Sequence, residues 1–314
     1  MQTCTPKPLC SRRFIELEAD QSRREHASPT EPTAGRKLGI AVERVAIRAL
    51  RDADSSLRLG ENASLSVVSD GDPIPYPLHP EEKLLLSPRV CQKKKISFTL
   101  GRAAARLAME QIGIGNPGPV LRGLGGEPLW GDGIVGSITH SYPWSAAVVA
   151  KNSIQFSVGI DLETVVGVQE IDISPMVCRE AELAWIRQGD FQERLTIVFS
   201  AKEAVYKALY PHCRRFIDFL EVELTPYAGP DGYHGGFLAS FDASCPQGPS
   251  CSVHYSRHGA LVFSCAICCF PWNGDASEAE SPAQPVHGVV RLDRPSSRRG
   301  QSENESSAKK CKWG

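Results

Sequence analysis

Apolar positions between residues 98 and 112 recur at helical spacing. Leu100, Ala104, Leu107, Ala108 and Ile112 form one stripe of a helix over residues 98–111, and Gly113 is its stop. Arg102 and Arg106 lie off that stripe, one turn apart. The period then shortens. GIVGSITHS, SAAVVAKNS and FSVGIDLE are brief Val- and Ile-rich segments with breaks at Tyr142–Pro143 and Asn152–Ser153, which predicts three strands. A second helix is expected over residues 201–210. Ala201, Ala204, Val205, Ala208 and Leu209 give it an apolar side, Ser200 its N-cap and Pro211 its end. Strands are expected over 216–224, 251–256 and 260–270. Helices and strands mix without regular βαβ alternation, which favours an α+β fold over a doubly wound sheet.

The two ends have a different texture. Residues 1–40 mix charge, Ser, Thr and Pro, and read as a flexible N-terminal arm. Residues 273–314 have few large apolar side chains and read as a disordered tail, leaving 41–272 as the folded part. No short fixed-period repeat is present.

Composition narrows the function classes. The 314 residues are 41% hydrophobic and 23% charged, with a formal net charge of −1, which gives no support to nucleic-acid or membrane-surface binding. Eleven cysteines are an odd, scattered set, and the N-terminus MQTCTPKPLCSRR lacks an apolar leader core. The longest uncharged apolar run, about 259–272, is too short for a bilayer span. A cytoplasmic protein with reduced thiols is the expectation.

Candidate chemistry gathers in the middle of the chain. Asp161 and Glu163 close the strand FSVGIDLE and point to one side, since strand residues two apart share a face. Glu203 adds a third carboxylate from the second helix. Three such groups with waters and a phosphate suit a hard octahedral ion such as Mg²⁺. Lys202, Lys207, Arg102 and His140 supply cationic or proton-bearing groups that would suit a polyphosphate ester. Each residue alone has a plainer reading. Asp161 and Glu163 fit solvated strand-end charges, Ser200-Ala-Lys-Glu203 fits a capping box, the lysines fit an exposed helix face, and His140 fits a strand end.

At these residues the chain resembles the 4′-phosphopantetheinyl transferase superfamily, in the longer monomeric group of the enterobactin- and surfactin-synthetase activating enzymes. The blocks that carry the likeness are FTLGRAAA, GSITHS with its approach PVLRGLGGEPLWGDGIV, VGIDLE and FSAKEAVYKALYP, in order, across about residues 90–225. The resemblance implies two similar α+β subdomains related by a pseudo-twofold axis, here 41–165 and 166–272, with coenzyme A between them. It implies Mg²⁺ on Asp161, Glu163 and Glu203. It implies CoA contacts from Arg102, Ser137, His140, Lys202 and Lys207. Glu180, with Glu182 as a near alternative, matches the position of a proposed base for the acceptor serine, and Lys207 that of a charge-stabilising group. Phe199 stands where many relatives have Trp, and Thr139 where Ser is frequent. The first 80 or so residues match poorly.

The implied reaction moves phosphopantetheine from CoA to a serine of an apo acyl or peptidyl carrier protein, releasing 3′,5′-ADP. Peptide synthetase, polyketide synthase and fatty-acid carriers all fit, with a lean toward secondary metabolism, and a monomer is expected. Two other readings use the same residues: an inactive carrier-binding module, and a Mg²⁺-dependent CoA pyrophosphatase. Three look-alike motifs fall away. Gly113-Ile-Gly115-Asn-Pro-Gly118 follows a helix and contains Pro117, unlike a dinucleotide fingerprint. Ser137, His140 and Asp161 lack a G-x-S-x-G elbow. Cys265, Cys268 and Cys269 lack a second ligand pair for zinc.

Overall fold

The structure is a computed structural model that describes residues 62–74, 76–151, 156–165, 172–228, 234–242 and 249–270. The N-terminal arm, the C-terminal tail and the Asn152–Ser153 break lie outside the described residues. Four layers stack on one another. A long helix, α2 (Gln92–Gln111), covers a three-stranded antiparallel sheet ordered β1 (Ala63–Ser69), β5 (Trp144–Lys151), β4 (Ile134–Ser141). Behind it lies a five-stranded antiparallel sheet ordered β6 (Phe156–Thr164), β10 (Leu261–Cys269), β9 (Ser250–His258), β8 (His234–Phe241), β7 (Val222–Ala228). Helix α5 (Phe191–Cys213) closes the far side. Short elements fill the connections: α1 (Pro80–Leu84), β2 (Leu121–Arg122) paired with β3 (Pro128–Leu129), α3 (Ser174–Val177), α4 (Glu180–Ile186) and a 3₁₀ turn at Phe219–Glu221. The architecture is α+β, and no helix among the described residues is long and apolar enough to cross a membrane.

Strand alternation explains the layering. Ala147 and Val149 of β5 pack toward α2, while Ala146, Val148 and Ala150 pack toward the second sheet. A strand buried on both faces needs an unbroken apolar run, and SAAVVA is one. On β6, Phe156, Val158, Ile160 and Leu162 fill the core between the sheets. The alternate positions Ser157, Gly159, Asp161 and Glu163 are thereby turned toward α5.

Helix and strand approach closely there. A Cβ on Gly159 would sit 2.0 Å from the Ala204 carbonyl oxygen of α5. Ser157 donates to the Ala208 carbonyl at 2.7 Å. Gly159→Ala must push two backbones apart, so it is expected to cost about 3 kcal/mol. Urea unfolding of that variant, with an unchanged midpoint, would count against this packing.

The two sheets also meet edge to edge. Ser137 Oγ accepts from the Ile160 amide at 3.1 Å, and Thr139 Oγ1 from the Leu162 amide at 3.1 Å. Ser141 and Thr164 share a hydroxyl bond of 2.9 Å. All three rungs are 23 residues apart, so β4 and β6 run parallel. The Ser137 and Thr139 hydroxyls of GSITHS thus satisfy two edge amides of β6.

Several sequence-based expectations need correction. Helix α2 starts at Gln92, six residues before 98, and α5 starts after Asp190, whose side chain caps the Glu193 amide at 2.8 Å. Ser200 is therefore in mid-helix, and the expected capping box with Glu203 does not form. Pro211 sits inside the last turn of α5, which ends at Arg214 with φ of 50°. Packing of Leu195, Val198, Ala201, Val205 and Leu209 into one core carries the helix through these local stop and start signals. Strand β7 begins at Val222, with the 3₁₀ turn where a strand over 216–224 was expected.

Candidate active site

The centre of the site is a buried ion pair between β6 and α5. Lys207 Nζ donates to Asp161 Oδ1 at 2.7 Å, to the Ile160 carbonyl at 3.2 Å and to Thr139 Oγ1 at 3.3 Å. Asp161 and Lys207 are each 2% exposed. Thr139 donates to the same Oδ1 at 3.1 Å while accepting from Leu162. One hydroxyl on β4 therefore ties together a strand edge, a carboxylate and an ammonium. Asp161 Oδ2, by contrast, is buried and takes no hydrogen bond among the described residues. A carboxylate oxygen enclosed without a donor is a position suited to a cation.

The other two expected acids flank this pair. Glu163 follows on the same face of β6 and is half-buried. Glu203 stands one turn before Lys207 on α5, is buried, and borders a small cavity with Tyr206 and Phe216. Among the described residues no three acidic, histidine or cysteine side chains are already drawn together as a chelating group. The donor chemistry fits a hard cation through Asp161 Oδ2, and Glu163 and Glu203 are the nearest carboxylates along the two elements.

A second cluster lies at the start of α2. His140, at the end of β4, shares a cavity of about 160 Å³ with Lys94, Phe98, Arg122 and Ser87. Arg102 and Arg122 both approach the Phe98 ring, with guanidinium carbons 4.0 and 5.3 Å from its centroid. Arg102 is fully buried, not on an exposed helix face, and its Nε donates to the Val120 carbonyl at 3.3 Å. Burial, and then the charge of Arg122, push its guanidinium down to about 9. Burial lowers Arg122 as well. Two cations crowded in this way are relieved by an anion. Arg106, also buried, is instead committed to Glu82 at 2.6 Å.

Within this frame the comparisons with known proteins become informative. Residues 81–150 match the family model for the 4′-phosphopantetheinyl transferase N-terminal domain, and residues 157–247 that for the 4′-phosphopantetheinyl transferase superfamily. Over 179 residues the chain is 35% identical to the 4′-phosphopantetheinyl transferase PptT of Mycobacterium tuberculosis, covering 54% of this chain and 75% of the relative. The chain belongs to the 4′-phosphopantetheinyl transferase superfamily. It is also 39% identical over 166 residues to the transferase Svp of Streptomyces mobaraensis, covering 50% of this chain and 65% of Svp. Enterobactin synthase component D of Salmonella typhimurium is 33% identical over 122 residues, 37% of this chain and 49% of that protein.

Placed on this transferase fold, the expected site residues separate. Asp161 and Lys207 are joined, with Glu163 and Glu203 on the same two elements. Ser137 is fully buried and accepts from the Ile160 amide, which places it in the sheet junction. Lys202 is also withdrawn. Its Nζ donates to Glu182 Oε2 and the Val222 carbonyl at 2.7 Å, to the Val177 carbonyl at 2.8 Å and to the Phe219 carbonyl at 3.0 Å. These four acceptors hold Lys202 at the junction of α5 with α3, α4, the 3₁₀ turn and β7. Burial pulls this lysine below its ordinary range, with the Glu182 charge pulling back.

Glu182 is equally committed. It accepts from the Arg179 amide and from the Leu224 amide, each at 2.7 Å, besides Lys202. Glu180, exposed on the first turn of α4, is the one of the two with a carboxylate at the surface. Lys94, Phe98, Arg122 and Thr139 are the residues that motif reading did not single out for the site. The run Lys93-Lys94-Lys95 was a visible signal for the first of these, and the alternating hydroxyls of GSITHS for the last.

Proposed function

We propose that this protein transfers 4′-phosphopantetheine from coenzyme A to a serine hydroxyl of an apo carrier protein, with release of 3′,5′-ADP. Family membership supplies the reaction class, and the buried Asp161–Lys207 pair with an open carboxylate oxygen is the observation that supports this site for it. Asp161, Glu163 and Glu203 would hold Mg²⁺, which when bound would neutralise charge on the CoA diphosphate. Lys207 would stabilise the charge that builds on the transferred and leaving groups. Glu180 would accept the proton of the attacking serine, and the substrate's own geometry would align the hydroxyl with the phosphorus.

The cavity of His140, Lys94 and Arg122 would take a phosphate of the CoA nucleotide portion, with Arg102 lending charge from behind Phe98. Because such a contact is made equally before and during reaction, Arg122→Ala is expected to raise KM for CoA roughly tenfold and leave kcat nearly unchanged. An unaltered KM in steady-state loading kinetics would remove Arg122 from the site.

The division of the chain into halves follows strand pairing in this reading. The boundary expected at 165/166 would move to between Lys151 and Phe156 in this reading, since β6 pairs with β10 of the second sheet. The pseudo-twofold relation of the halves is supported by one long helix on an antiparallel sheet in each, on opposite outer faces. A cytoplasmic setting is supported by the free thiols of the described cysteines.

Intact-mass analysis of an apo carrier domain, incubated with the full chain, CoA and Mg²⁺, tests the reaction. A gain of roughly 340 Da on the carrier, dependent on CoA, is the expected result. No gain across peptidyl and acyl carriers would favour a carrier-binding module. CoA consumed without a carrier would favour a pyrophosphatase.

A further inference from the structure

Opposite Asp161 in the antiparallel pairing of β6 and β10 stands Ser264. Directly opposite residues share a sheet face with their Cβ atoms about 5 Å apart. Both face α5, because their neighbours Ile160, Leu162, Phe263 and Cys265 fill the core between the sheets. Ser264 is fully buried, and its Oγ makes no hydrogen bond among the described residues. Asp161 Oδ2 is in the same condition, while Oδ1 is held by Thr139 and Lys207. The other positions on this face of β10, Val262, Ala266 and Cys268, are apolar and packed against α5. A serine among them adds nothing to the packing that alanine would not, and its hydroxyl is costly to enclose unless something accepts its proton.

We propose that Ser264 is a positioning residue of the active site, whose hydroxyl, unbonded among the described residues, turns to donate to Asp161 Oδ2 when that carboxylate takes a cation. With Thr139 and Lys207 on one oxygen and Ser264 turned to the other, the carboxylate would be held against rotation. A carboxylate oxygen has lone pairs enough for one hydrogen bond and one cation together. Ser264 thus aims the remaining lone pair of Oδ2 and lowers the ordering cost of cation binding. This assignment rests on the reading of Asp161 as a Mg²⁺ ligand.

The test uses the full chain with Ser264→Ala and Ser264→Cys, the second keeping the side chain's shape but donating poorly. Mg²⁺ affinity is measured by calorimetry, and Mn²⁺ affinity by electron paramagnetic resonance. Both variants are expected to bind either ion roughly tenfold more weakly. Carrier loading should need roughly tenfold more Mg²⁺ to reach half of its plateau rate, the mark of weakened ion binding. The melting temperature without metal should hold or rise, because a buried hydroxyl without a partner is gone. Wild-type ion affinity in either variant overturns the proposal. So does an affinity loss matched by an equal loss of metal-free stability, which marks a purely structural serine. Asp161→Asn separates the two levels of the argument. If it too binds Mg²⁺ like wild type, the metal assignment itself fails; if it alone loses binding, only the role of Ser264 fails.

Discussion

Asp161→Asn is expected to lower kcat/KM for carrier loading by at least about a hundredfold, and added Mg²⁺ will not restore it. The expectation follows from two losses at one atom pair. Oδ2 is the enclosed acceptor that suits a cation, and Oδ1 is the counter-charge that places Lys207. Removing a single charge-stabilising group at a phosphoryl or acyl centre typically costs about 3 kcal/mol of barrier. Here the cation position and the ammonium are disturbed together. Asparagine keeps the shape and can still accept from Thr139 and Lys207, so it is less destructive to the fold than alanine. Alanine would leave a buried ammonium without its partner, which costs about 3–5 kcal/mol. The check is loading kinetics by intact mass on protein shown to be folded by circular dichroism. An Asn variant with unchanged kcat/KM and Mg²⁺ dependence would remove Asp161 from the chemistry.

Lys202→Met gives the second large effect, on stability. Lys202 anchors α5 to α4, to the 3₁₀ turn and to β7 through one nitrogen. Its loss leaves Glu182, 1% exposed, with two backbone donors but no counter-charge. Breaking a buried pair from one side typically costs about 3–5 kcal/mol. The double variant Lys202→Met with Glu182→Leu is expected to recover part of that loss, because no buried charge remains. A lysine that contacted a CoA phosphate would behave otherwise. Lys202→Met would then raise KM for CoA while urea unfolding stayed at the wild-type midpoint, and that result would contradict the placement described here.

Lys202 and Lys207 show where sequence stops being informative. They are five apart on one helix, carry the same charge, and lie in the same family-like block. Helical spacing alone places both on an exposed face. Their difference is set by what faces them: Glu182 and three carbonyls in one case, Asp161 and a hydroxyl in the other. Those partners come from residues 17 to 68 positions away. Arg102 and Arg106 teach the same point. They lie off the apolar stripe of α2, yet Val120 and Phe98 enclose Arg102, and Glu82 holds Arg106. Burial of a cation is decided by long-range partners that periodicity does not encode.

The strands were more legible than the helix ends. β4, β5, β6 and β10 follow the Val- and Ile-rich segments closely, because burial on two faces demands that composition. β1 and β8 escaped notice. ASLSVVS is more than half serine and alanine, and HGGFLASF has two glycines after its first residue, so neither carries the usual β-branched density. For α5, Ser200, Glu203 and Pro211 are good local signals that the tertiary core overrides. The capping box they suggested does not form, because Ser200 and Glu203 both lie in the helix interior. The proposal of Asp161, Glu163 and Glu203 as a set rests on strand alternation and family-like spacing. The arrangement of Thr139 was not legible, since it depends on the parallel meeting of β4 and β6.

A crystal structure of the chain with CoA and Mn²⁺ in place of Mg²⁺ addresses the central claim directly. An anomalous peak coordinated by Asp161, Glu163 and Glu203 and touching the CoA diphosphate, with Lys207 on a phosphate oxygen, is the predicted result. A Glu203 side chain turned away from Asp161 and Glu163 in that complex, or an ion bound elsewhere, would contradict it.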